Sequence, residues 1–107
     1  MNVPRSEDFA AVAKTGDLTP GQMKFVAVDG VRLVLANVDG SFYALRDVCG
    51  HQRAPLSRGK LNGCLVECPL HFATFDMRTG KFVDGPDSAD VPAYEVRVEG
   101  ETVYVKR

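Results

Sequence analysis

Residues 49–71 read CGHQRAPLSRGKLNGCLVECPLH. Two half-sites bracket the stretch, Cys49-Gly50-His51 and Cys68-Pro69-Leu70-His71, with sixteen residues between His51 and Cys68. Each offers one thiolate and one imidazole, spaced so that a single loop turns back and aims both at one metal. Both histidines of the chain and two of its three cysteines lie in these half-sites. Four soft or borderline ligands from two loops form a metal-site pattern, not that of a catalytic nucleophile.

Upstream, the chain reads as β-structure. MKFVAV (23–28) and VRLVLANV (31–38) are joined by Asp29-Gly30, and Asp39-Gly40 leads on to SFYALRDV (41–48). Apolar, β-branched runs joined at Asp-Gly are strong hairpin signals, so residues 22–48 are expected to form a three-stranded antiparallel meander. Phe9 to Ala13 is expected to be an edge strand, and residues 1–8 are polar. Within and beyond the half-sites the texture changes to Gly, Pro and Arg with short strands at best. An Asn62-Gly63 turn is expected to lead into a strand CLVEC. There Cys64 is read as a strand residue turned away from Cys68, not as a ligand. Arg78-Thr79-Gly80 is a further hairpin candidate, and GPDSADVP (85–92) is a loop. In AYEVRVEG (93–100), Tyr94, Val96 and Val98 alternate with Glu95, Arg97 and Glu99, which predicts one buried and one wet face. TVYV (102–105) closes the chain.

These segments suggest one all-β domain over residues 1–107 in two lobes. The strand-rich ends, 1–47 and 86–107, need each other to complete a core, since an isolated hairpin is marginal. Residues 48–85 are then an inserted metal lobe.

The totals exclude several classes. Thirteen Lys and Arg against fourteen Asp and Glu give a net charge of −1, which argues for neither nucleic acid nor a membrane surface. No apolar run approaches the ~18 residues a membrane helix needs. The N-terminus lacks the apolar core of a signal peptide. An odd cysteine count with two claimed by a metal fits no disulfide framework and suits a reducing cytoplasm.

The bare ligand set, Cys₂His₂, suits zinc or a two-iron cluster with mixed ligands. Zinc fingers usually pair the two cysteines and then the two histidines. Here each loop supplies one of each, which suits a binuclear centre with both thiolates on one iron and both imidazoles on the other.

From Tyr43 onward the sequence resembles the Rieske-type ferredoxins. The resemblance is carried by Cys49-x-His51, Ala54-Pro55-Leu56-Ser57, Glu67-Cys68-Pro69-x-His71, Phe75-Asp76, Thr79-Gly80 and Tyr94-x-Val96-x-Val98-x-Gly100. It implies one [2Fe-2S] cluster held by Cys49, His51, Cys68 and His71. It also implies an antiparallel β-sandwich or barrel base with a small cluster-binding subdomain inserted, and a proline loop at Gly85-Pro86. One departure stands out. The family usually has Gly after the second histidine, where this chain has Phe72, so a shifted loop backbone is expected there.

With neutral imidazoles, two ferric ions, two sulfides and two thiolates sum to zero, against −2 for four thiolates. A less negative cluster takes up an electron more readily. No nucleophile, general base or substrate pocket is legible, so the chain reads as a carrier and not a catalyst. The resemblance implies the circuit: electrons come from an NAD(P)H-dependent flavoprotein reductase and go to a terminal, aromatic-ring-hydroxylating oxygenase. Docking is expected around His51, His71, Gln52, Arg53, Leu70 and Pro86, with the carrier a monomer. Arg53 and Arg58 read first as solvated surface. Residues 49–85 carry five Lys and Arg against three Asp and Glu, a net of +2 beside −3 for the rest, a mild asymmetry that favours an acidic partner. Two rivals stay open: a small Rieske subunit of another redox enzyme, such as a nitrite reductase, and a structural zinc module.

Respiratory Rieske proteins, by resemblance, place a Ser two residues and a Tyr four residues after the second histidine, and tie the two loops with a disulfide. The matching positions here are Ala73 and Phe75, and Ala54 and Leu70. The chain therefore lacks both hydroxyls and the disulfide. A potential at the low end of the Rieske range of about −150 to +300 mV is expected.

Overall fold

The computed structural model describes residues 8–49, 54–70, 72–85 and 88–107. Eleven strands lie in these segments, all paired antiparallel in three sheets. Strands β1 (Phe9–Lys14), β10 (Val96–Glu99) and β11 (Thr102–Lys106) form the first sheet in the order β1-β11-β10. The second is the meander β2 (Met23–Val28), β3 (Val31–Val38) and β4 (Ser41–Arg46), extended by the two-residue β9 (Ala93–Tyr94) on the β4 edge. The third joins four three-residue strands in sequence order: β5 (Lys60–Asn62), β6 (Leu65–Glu67), β7 (Thr74–Asp76) and β8 (Phe82–Asp84).

The two Asp-Gly signals form as expected. Val28 pairs with Val31 and Val38 with Ser41, which leaves two-residue turns. Both residues of each turn have positive φ (Asp29 50°, Gly30 81°; Asp39 55°, Gly40 92°), the type I′ pattern that matches strand twist.

Two expectations need correction. Asn62 pairs with Leu65, so the β5–β6 turn is centred on Gly63-Cys64. Gly63 takes φ +62° at the first turn position, and Cys64 belongs to the turn instead of to a strand CLVEC. In the closing hairpin, Tyr94 and Val96 are half-buried, but Val98 is 44% exposed. β10 is an edge strand, and Val98 lies near its end, opposite Val103.

The second sheet has a core on each face. Toward the first sheet, Leu33, Leu35 and Ala44 pack with Val26, Val28, Val103, Val105 and Leu18. Toward the third sheet and the half-site loops, Val34, Ala36 and Leu45 pack with Val66, Phe75, Met77 and both half-site cysteines. Neighbouring residues of a strand point to opposite faces, so β3, buried without break from Leu33 to Asn37, serves both cores.

Candidate metal centre

Cys49 follows β4 by three residues and Cys68 follows β6 by one. Both thiols are buried, at 4% and 0% exposure, and both belong to the core beneath the third sheet. None of the three cysteines is in a disulfide. Each half-site loop begins at its cysteine and is stapled five residues later. The Cys49 N–H donates to the Ala54 carbonyl at 2.8 Å, and the Cys68 N–H donates to the Ala73 carbonyl at 2.8 Å. Ala54 and Ala73 are themselves buried in the same core. Two loops of equal span thus present one buried thiol apiece on the same cluster of side chains. His51 and His71, with Gln52, Arg53 and Pro86 of the expected docking surface, lie outside the described residues. Leu70 is described and is 54% exposed. Cys64 is half-exposed in its turn and not part of the core that holds the other two cysteines; its carbonyl accepts from the Met77 N–H at 2.7 Å.

A buried carboxylate anchors the first loop. Asp47, whose side chain is fully buried, accepts from the Ser57 N–H at 2.6 Å (Oδ1), the Ser57 hydroxyl at 2.7 Å (Oδ2) and Arg32 Nη2 at 3.3 Å (Oδ2). These bonds tie the end of β4 to the short 3-10 turn Leu56–Arg58 across the Cys49 loop. Arg32 is itself held over the Phe25 ring at 3.9 Å. Sequence reasoning missed this tie, because Arg46-Asp47 reads as an ordinary exposed charged pair. The one available signal is Ser57, which closes the Ala54-Pro55-Leu56-Ser57 motif.

One glycine-dependent contact lies against the second loop, and another closes the far end of the hairpin that follows it. A Cβ at Gly85, whose φ is +109°, would come within 2.9 Å of Ala73 Cα and 3.1 Å of the Phe72 carbonyl oxygen. The chain bearing Gly85 therefore lies directly against the loop, next to the expected proline position. At the far end of the β7–β8 hairpin, a Cβ at Gly80 would collide with the Val91 carbonyl, and Gly80 O accepts from the Val91 N–H at 2.7 Å. Beside it Asp76 accepts from Arg78 Nη2 at 2.9 Å and Nε at 3.1 Å, and the guanidinium holds its carboxyl below the usual range. Phe72 stands where the family usually has glycine. It keeps a left-handed backbone, φ +61°, and turns its ring outward at 64% exposure.

The arrangement fits a cofactor that draws one thiolate from each of two loops, among buried apolar side chains. The chain belongs to the Rieske [2Fe-2S] domain family, whose model matches residues 8–95. With the family comes one Rieske-type [2Fe-2S] cluster. The chain is 37% identical over 98 residues to the biphenyl dioxygenase ferredoxin subunit of Pseudomonas sp. (strain KKS102), covering 91% of this chain and 90% of that one. Its fold is similar to the ferredoxin of carbazole 1,9a-dioxygenase from Nocardioides aromaticivorans IC177, with TM-score 0.88 and 34% identity over 92% of this chain and 96% of that one. It matches a chain in a complex of reduced oxygenase and oxidized ferredoxin of carbazole 1,9a-dioxygenase with TM-score 0.88 and 34% identity over 94% of each chain. Among the described residues no helix is long and apolar enough to cross a membrane.

Proposed function

We propose that this chain is a cytoplasmic, monomeric one-electron carrier that links an NAD(P)H-dependent flavoprotein reductase to a terminal, aromatic-ring-hydroxylating oxygenase. Cys49 and His51 of the first loop and Cys68 and His71 of the second would hold the cluster. The observation that carries this reading is the pair of stapled loops, each opening on a buried thiol in one core. Bound there, a Rieske cluster supplies one-electron redox chemistry at a potential raised by its neutral imidazole ligands. The protein's part is to fix the thiols and exclude water from them. Alanines 54 and 73 and Phe75 do the excluding, and Asp47 with Ser57 does the fixing. Residues 48–85 are read as the cluster-binding subdomain on a base of 1–47 and 86–107; the third sheet, confined to residues 60–84, supports that division. The ferredoxin subunits of biphenyl and carbazole dioxygenases, near full-length relatives, support the circuit.

The test is compositional. Purified protein is expected to be red-brown with two irons and two acid-labile sulfides per chain. Cys68→Ser is expected to lose both, along with much of the stability, because metal binding couples to folding. Stoichiometric zinc in anaerobically prepared, colourless protein would overturn the reading in favour of a structural zinc module.

A further inference from the structure

Phe72 is held where its own preferences do not put it. A bulky residue at φ +61° is a conformational outlier. Its neighbours enforce that backbone: the Thr74 hydroxyl donates to the Phe72 carbonyl at 3.2 Å, the Cys68 N–H donates to Ala73 O, and Gly85 packs against residues 72 and 73. Burial does not offset the strain, because 64% of the residue faces solvent. The ring instead walls a cleft of about 180 Å³, the size of one side chain, that reaches Cys68 and Pro69 and is lined by Arg58, Lys60 and Glu67. Lys60 stands opposite Glu67 across β5 and β6. Neither Arg58 nor Lys60 has an ion-pair partner among the described residues. Arg58 also lines the neighbouring concavity of about 880 Å³, where Arg46 adds positive charge and Arg32 is paired with Asp47. An apolar knob on the Cys68 loop therefore stands beside two cations, Arg58 and Lys60, with Glu67 the one acid of the cleft.

We infer that Phe72 is a specificity-determining contact residue, its ring docking into an apolar hollow of the electron-accepting oxygenase whose surrounding carboxylates meet Arg58 and Lys60. This rests on the carrier reading above and names the face and the chemistry of its partner. An exposed aromatic beside unpaired cations matches the aromatic and Arg anchors that dominate interface energetics. The cations also raise the encounter rate with an acidic surface. The strain is retained because the ring works between molecules instead of within one.

Phe72→Gly in the holoprotein tests this. Relief of the left-handed backbone is expected to raise Tm by about 4–8 °C. The visible spectrum and midpoint potential are expected to stay unchanged. The probes are the purified terminal oxygenases of the biphenyl and carbazole systems, using whichever the wild type reduces faster. Electron delivery is expected to weaken about tenfold or more, in KM for the carrier and not in kcat. Phe72→Leu is expected to recover much of the delivery without the gain in Tm. Arg58→Glu is expected to slow delivery at low salt, the difference fading as salt rises. A fall in Tm for Phe72→Gly would show that the ring packs at home, and a moved midpoint that it acts on the redox centre; either overturns the inference. Unchanged delivery with an intact spectrum overturns the contact role alone. A wild-type holoprotein that reduces neither oxygenase overturns the carrier reading and this inference with it.

Discussion

The core between the first two sheets and the core beneath the half-site loops are built differently. In the first, every buried residue but Leu18 sits on a strand: Val26, Val28, Leu33, Leu35, Ala44, Val103 and Val105. In the second, strands give Val34, Ala36, Leu45, Val66 and Phe75, while Cys49, Ala54, Leu56, Cys68, Ala73, Met77 and Val91 come from loops and turns. Strand positions are fixed by ladders of backbone hydrogen bonds. Loop positions hold only as well as their individual closures. The first core is a matter of apolar area; the second depends on a few named bonds, such as those at Cys49–Ala54, Cys68–Ala73 and Asp47–Ser57.

Cutting one large side chain from each core probes that contrast most severely. Phe75 and Leu35 are both fully buried, so Phe75→Ala is expected to cost about 3–5 kcal/mol and Leu35→Ala about 2–5 kcal/mol. The two variants are expected to part in the fate of their iron. Leu35→Ala is expected to lower Tm while the folded fraction keeps its iron. Phe75→Ala is expected to release iron from chains whose far-ultraviolet circular dichroism is still native. Parallel loss of iron and fold in both variants would make the two cores a single cooperative unit. A smaller effect is expected at the buried tie. Asp47→Ala strands the Ser57 N–H and hydroxyl and is expected to cost about 1–3 kcal/mol, whereas Ser57→Ala removes one hydroxyl bond and costs about 1 kcal/mol. Equal losses in chemical denaturation would show that solvent satisfies the stranded groups. The gentlest intervention changes the redox centre's surroundings. Ala73 and Phe75 are buried beside the cysteines, and Ala73→Ser and Phe75→Tyr each place a donor there. Both are expected to raise the midpoint from the low end of the Rieske range, since hydrogen bonds to sulfur stabilise the added electron. Protein-film voltammetry reads this: a wild-type midpoint above about +100 mV, or a downward shift in either variant, contradicts it.

The same contrast explains what could be read from the chain. The base was legible because Asp29-Gly30 and Asp39-Gly40 need no tertiary context to specify their turns, and the runs they join are apolar and rich in strand-forming residues. Its failures came where context decides. Val98 matches the buried pattern but stands near the end of an edge strand. The run AYEVRVEG reads as one alternating strand, but Ala93–Tyr94 pairs with Ala44 and Leu45 in the second sheet while Val96–Glu99 pairs with β11 in the first. Cys64 moved into a turn because pairing of Asn62 with Leu65 set the register. At the centre, Cys49 and Cys68 announce themselves by spacing. Asp47 does not, since an acid just past a strand's last apolar pair looks the same whether it faces water or Ser57. Phe72 was visible as an oddity, but only its backbone angle and exposure give the oddity a direction.

The wall shared by the two cores sets a clock. From Leu33 to Ala36, β3 is paired with β2 on one side and β4 on the other, and both its faces are covered. Amides so placed trade their protons with solvent only when the whole molecule opens, while fraying edges such as β10 exchange through local openings. The exchange lifetimes of those four amides therefore report global opening. A partner or cofactor that binds the folded chain at the half-site loops should slow all four by one common factor, which turns the innermost strand into a gauge of binding at those loops.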